Sequence, residues 1–139
     1  MKSERELKAE WLSRSKPLRL RLISLKAVRL ERLSRADYGG ISYSGERTGG
    51  SGGNSTERKI AALTETNAEI AEIEKQLEKI EAEISDAIDK VRSPLCQTYL
   101  RMRFLAYKSE HQIAHETNYT YTYINGTIRK KALDLVNIP

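Results

Sequence analysis

Residues 109–136 read SEHQIAHETNYTYTYINGTIRKKALDLV, and the spacing of polar punctuation and apolar residues in them spells two short helices joined by a tight turn. Ser109 and Gln112 stand at the positions of a capping box, which closes a helix start with two reciprocal hydrogen bonds. Ile113 and Ala114 face inward. Ala114 stands where the two helices cross closest, and a larger side chain there would hold them apart. Asn118 occupies the turn, whose backbone wants a left-handed residue, and Asn tolerates that conformation better than most. Tyr119 follows as the residue that plugs the turn, and Thr120 is a good cap for the next helix. Ile124, Ile128 and Leu135 are the expected buried stripe of that helix. This is the grammar of a helix-turn-helix. Immediately upstream, Tyr99 to Leu105 reads as a supporting helix with Leu100 and Phe104 inward.

The outward face of the second helix carries Tyr121, Thr122, Asn125, Arg129 and Lys130, with Thr120 at its start and Lys131 adding charge. Asn can pair with an adenine edge, and Arg can read guanine or grip phosphate. The backbone N–H groups of a helix start can bind a phosphate. These residues form a candidate interface with double-stranded DNA as a group; the sequence does not sort base readers from phosphate clamps. Of the tyrosines, Tyr119 reads as packing and Tyr121 as exposed, while Tyr123 fits either role.

Working outward, Ser93-Pro94 separates this unit from the clearest helix in the chain, residues 56–92. There Leu63, Ile70, Leu77, Ile84 and Val91 repeat every seven residues, and Ile73, Ile80 and Ala87 fill the second seam position. Asn54, Ser55 or Thr56 can cap its start. A helix with one apolar stripe needs a partner. The first segment, residues 1–36, is the natural one, folding back as an antiparallel pair; a homodimer seam is the rival. In that segment Leu7, Trp11, Leu18, Leu22, Leu25 and Leu33 fall near helical spacing, and Leu20, Ile23 and Leu30 widen the stripe. Leu18 to Leu22 alternates as a strand would, but the alternation stops at Ile23 and the composition favours helix. Pro17 should end a short first helix or kink a long one. Between the two segments, residues 37–55 are rich in Gly and Ser and read as a flexible linker.

Charge is uneven across the 139 residues. Residues 1–36 hold eleven basic against four acidic residues, 56–92 hold six against ten, and 93–139 hold six against three. Basic ends suit a polyanion, and an acidic middle suits a basic partner helix. Arg19, Arg21, Arg29, Arg32 and Arg35 could pair with that middle, touch DNA phosphate, or rest on anionic lipid; pairing plus phosphate contact is the reading preferred here. The single cysteine, Cys96, permits no intrachain disulfide. No signal-peptide core and no membrane-spanning stretch is visible, so the expected location is the cytoplasm.

Enzymatic patterns are absent. His111 and His115 have zinc-ligand spacing but lack the Glu and third ligand of a metalloprotease motif, and read as helix surface. GERTGGSGGNS lacks the Lys-Ser/Thr ending of a phosphate loop. No nucleophile, base and orienting group cluster, so catalysis, a metal and a cofactor are not expected.

The stretch CQTYLRMRFLAYKSEHQIAHETNYTYTYI, residues 96–124, resembles the fourth conserved region of sigma-70 factors. The likeness rests on Leu100-Arg-Met-Arg103-Phe104, Ile113-Ala114, Glu116, Thr120, Ile124 and Ala132-Leu133. Across nearly its full length the chain is similar to short phage proteins with an N-terminal helix, a Gly-rich link, a heptad helix and such a C-terminal unit, laid out like the RinA-type and ArpU-type activators of phage late genes. The chain departs from the sigma pattern at Thr117, where Leu is usual, and at Thr127, where an apolar residue is usual. The interval from Thr120 to Ala132 is one residue longer, and Gly126 sits inside the second helix. Nothing marks the upstream sigma regions, so a full sigma factor is excluded.

The resemblance implies an all-α protein: a long antiparallel, coiled-coil-like helical hairpin followed by a sigma-70 region-4-like helix-turn-helix. It implies a sequence-specific transcriptional regulator that binds double-stranded DNA, with host RNA polymerase as a further partner, acting in the host cytoplasm. The competing expectation is a coiled-coil adaptor or assembly protein whose C-terminal helices bind another protein.

Overall fold

A computed structural model of the chain describes the backbone of residues 1–42 and 51–139 and the side chains of residues 1–35 and 56–139. Every regular element among the described residues is helical. In chain order these are α1 (Glu4–Leu12), α2 (Ser15–Ser42), α3 (Ser51–Asp89), α4 (Pro94–Leu100), α5 (Glu110–Thr117) and α6 (Arg129–Leu135). α4 runs straight into a π-helical stretch, Arg101–Leu105, and α6 is preceded by another, Tyr123–Ile128. α2 runs on to Ser42 and α3 already starts at Ser51, so both helices extend into the expected linker, and Asn54, Ser55 and Thr56 lie within α3 instead of capping its start; residues 43–50 of that linker lie outside the described residues.

The chain divides into two compact units, residues 1–17 with 77–139, and residues 18–76. α2 and α3 each contribute to both.

In the first unit a single apolar core gathers Leu12 of α1, Ile84, Ala87 and Ile88 of α3, Val91, then Cys96, Tyr99 and Leu100 of α4. Ile113 and Ala114 of α5 and Ile124, Ile128, Ala132, Leu133 and Val136 complete it. Burying a side chain of Leu or Ile size stabilises by roughly 1.5–3 kcal/mol, whereas an exposed ion pair contributes about 1 kcal/mol at most. The core therefore holds the unit and the ion pairs around it trim the register. α1 starts at a complete Ser3–Glu6 capping box. It lies against α6, where Arg5 makes a two-pronged contact with Asp134, Nε to Oδ1 and Nη2 to Oδ2, both 2.8 Å. Lys8 adds a bond from Nζ to the Asp134 carbonyl at 3.4 Å.

The break in the first segment does not fall at Pro17. α1 ends at Leu12, α2 begins at Ser15, and Pro17 sits in the first turn of α2. There its missing N–H has no intrahelical partner to lose. Leu18 to Leu22 is helical, so the strand alternative fails.

In the second unit the seam of α3 is made by Thr66, Ile70 and Ile73, all buried, with Leu63 half-buried. Facing them from α2 are buried Leu22 and half-buried Leu18 and Leu25. From Lys26 through Arg29 to Arg32, the partners on α3 fall from Glu74 (3.7 Å) through Asn67 (3.4 Å) to the Ala62 carbonyl (3.1 Å), the antiparallel sense. Thr66 is the one fully buried polar residue of this seam among the described side chains. Its hydroxyl donates to the Ala62 carbonyl at 2.9 Å and accepts from Arg32, so burial leaves it satisfied.

Candidate nucleic-acid interface

The helical stretch after α5 carries the residues singled out for DNA contact. Ser109 caps α5: its hydroxyl accepts from the Gln112 N–H at 3.2 Å, and the Ser109 N–H donates to Gln112 Oε1 at 2.9 Å. The helix ends at Asn118 with φ 63° and ψ 31°, the left-handed conformation that reverses the chain. The next residue closes the turn, with the Tyr119 N–H donating to the Ala114 carbonyl at 3.1 Å. Thr120 then caps the following stretch, its hydroxyl accepting from the Tyr123 N–H at 3.1 Å. Ala114 is buried in the same apolar core as Ile124 and Ile128.

The second helical stretch is not a regular α-helix. Between Tyr123 and Ile128 it widens into π geometry, and the Arg129 N–H reaches back five residues to the Ile124 carbonyl. Its buried residues are Ile124, Ile128, Ala132, Leu133 and Val136. At about 100° per residue the twelve-residue span from Ile124 to Val136 would drift about 120° round a regular helix. A π stretch absorbs one residue and brings both ends back to one face. Two expectations are corrected. Leu135 is exposed rather than buried, its place taken by Leu133 and Val136, because the widened turn shifts the register. Tyr119 is exposed rather than plugging the turn; its ring meets that of Tyr123, also exposed, at 5.3 Å between centroids.

Placed on this scaffold, Thr120, Tyr121, Thr122, Asn125, Lys130 and Lys131 are all exposed. Lys130 and Lys131 have no ion-pair partner among the described residues. Tyr121 stacks flat on the ring of His111, with centroids 3.9 Å apart and 4° between the planes, which fixes its direction. Arg129 differs from the rest. It is half-buried, and its Nε lies 3.8 Å from Glu110 Oε1.

Glu110 was not singled out by the sequence reading, yet it ties three helical segments together. Its side chain is only 12% exposed. Tyr99 of α4 donates to Oε1 at 3.0 Å, Arg103 comes within 4.0 Å, and Arg129 within 3.8 Å. A carboxylate this enclosed is costly without partners, and these three supply them. Burial, with the Glu110 charge second, pushes the Tyr99 phenol well above its usual range, so Tyr99 remains a donor. The sequence signal that could have found Glu110 is its place in the first turn of α5, combined with cations on both neighbouring segments.

Comparison with protein-family models, characterised proteins and solved structures finds no match to this chain. Among the described residues no helix is long and apolar enough to cross a membrane, and no three His, Cys, Asp or Glu side chains gather in a way that could hold a metal ion.

Proposed function

We propose that this chain is a sequence-specific transcriptional regulator that binds double-stranded DNA through residues 109–136 acting as a helix-turn-helix, in the service of phage late or packaging genes. One observation carries the reading. Six side chains able to contact a duplex (Thr120, Tyr121, Thr122, Asn125, Lys130 and Lys131) are exposed on and around one helical stretch, and the buried residues of that stretch share one apolar core with Ile113 and Ala114 of α5. The resemblance to the fourth region of sigma-70 factors supports the same assignment, and host RNA polymerase is the further partner it suggests. In this reading Asn125 reads a base edge, Lys130 and Lys131 grip phosphate, and Tyr121 is presented by His111. Arg129 divides its charge between Glu110 and the duplex.

The test is salt-dependent binding of the full chain to random and selected duplexes, followed by fluorescence anisotropy. Affinity should fall steeply as salt rises, because counterions leave the phosphates that the protein neutralises. Lys130→Ala and Lys131→Ala should each lower the slope of log K against log salt by about one. Asn125→Ala should leave the slope unchanged and cost selectivity at one or two base pairs, worth about 1–3 kcal/mol each. An unchanged slope in both lysine variants would count against this surface.

A second reading, a helical adaptor that binds protein, is favoured by a separate observation: α2 exposes Leu20, Ile23 and Leu30 in one row.

A further inference from the structure

α2 is apolar on two opposite sides. At about 100° per residue, Leu18, Leu22, Leu25 and Arg29 share the side that faces α3, and Leu22 is buried there. Leu20, Ile23, Ala27 and Leu30 fall within about 80° of one another on the reverse side. On that side Leu20 is 57% exposed, Ile23 58% and Leu30 68%, and Ala27 is exposed too. Their spacing of three, four and three residues is that of alternating first and fourth positions in a heptad, the pattern of a coiled-coil seam rather than of scattered surface leucines. A helix apolar on both sides is normally covered on both.

We propose that this outer seam of α2 is a self-association surface, and that two copies of the chain pair through a parallel α2–α2 coiled coil. The charges beside the seam decide both the occupant and the direction. Lys26 and Glu31 flank it on opposite edges. In a parallel, in-register pair these edges meet, so Lys26 of each copy lies against Glu31 of the other, twice by symmetry. In an antiparallel pair centred on the same seam, like edges meet and Lys26 lies against Lys26. A seam that satisfies its own charges in one orientation and opposes them in the other is self-complementary, as a twofold interface must be. Both side chains are exposed. Their present partners, Glu74 at 3.7 Å from Lys26 and Arg35 at 2.9 Å from Glu31, are surface pairs on the sides away from the seam or along it, weak enough to rearrange. The inference does not rest on DNA binding, and it holds or fails whether or not residues 120–131 touch a duplex.

Sedimentation equilibrium on the full chain tests it. The expected mass is twice the 15.8 kDa of one chain. The double variant Leu20→Glu with Leu30→Glu should sediment as a monomer with an unchanged circular dichroism spectrum, since both side chains are already in solvent. Lys26→Glu alone should raise the dimer dissociation constant about tenfold, like charges then facing each other at two places. Adding Glu31→Lys should restore it, which an antiparallel pair would not do. A wild-type chain that stays monomeric up to high micromolar concentration overturns the proposal, as does a dimer that survives the two glutamates. A dimer without rescue in the charge-exchanged variant overturns the parallel arrangement.

Discussion

Gly126 and Glu110 show how single residues in the C-terminal helices divide between stability and surface. Gly126 lies within the widened helical stretch, and a Cβ placed on it would meet nothing within 4 Å. Glycine there costs backbone entropy without relieving any clash, so Gly126→Ala should stabilise the fold by about 0.5–1 kcal/mol in a denaturant titration. A loss of stability would mean that the backbone at 126 is under a constraint the surroundings do not reveal. Glu110→Ala works the other way. It leaves the buried Tyr99 hydroxyl without its acceptor and frees Arg129, and should cost about 1–3 kcal/mol. The same variant should strengthen non-specific duplex binding, because a cation is released beside the candidate interface; thermal melts and anisotropy read the two effects separately. Of these residues the sequence made Gly126 conspicuous and hid Glu110, since a glutamate in the first turn of a helix looks like ordinary dipole compensation.

At the scale of elements, the caps and turn of the C-terminal helices were the most legible part of the chain, whereas α2 and α3 begin before the residues expected to start them. Ser109 with Gln112, Asn118 in left-handed conformation and Thr120 as a cap each act through neighbours within four residues, which a linear reading can see. The heptad of α3 was legible for the same reason: Ile70, Ile73, Leu77, Ile84 and Ala87 are buried as their spacing implies, although Ile88 is buried as well and Thr66 takes a seam place that apolar counting passes over. The π stretch from Tyr123 to Ile128 was not legible, since residues 120–135 read as one regular helix. Its origin is testable. Deleting Thr127, whose side chain is exposed, would leave the buried positions at intervals of three, four, one and three, which suit a regular α-helix. The deletion variant should keep its cooperative melt and its helix content. Loss of cooperativity would show that the widened turn is required by the packing rather than tolerated by it.

For the molecule as a whole, the contact that no local pattern announces joins the two chain ends within the first unit. Leu12 is fully buried among residues from α3 to Val136, and Leu12→Ala should cost about 2–5 kcal/mol, read as a lowered midpoint in urea. Residues so far apart in sequence leave no periodic trace of their pairing, which is why α1 read only as the start of a basic helix. The Arg5–Asp134 contact gives the same junction a pH signature. The hydrogen bond from Arg5 holds the Asp134 carboxyl below its ordinary 3.8. A carboxylate with a lowered folded-state pKa adds stability that is fully present above its ordinary value and is lost as pH falls through the lowered one. Asp134→Asn should therefore reduce the melting temperature slightly at neutral pH and make no difference once the acid limb is passed. A difference that persists in acid would assign the effect to packing instead.

The most direct measurement is a ¹⁵N-correlation NMR titration of the full chain with a duplex recovered by selection. The account predicts that the largest amide shifts cluster at residues 109–112 and 119–131, with those of Thr66, Ile70 and Ile73 unmoved. Shifts confined to α2 and α3, or none at all with a duplex in excess, would contradict it.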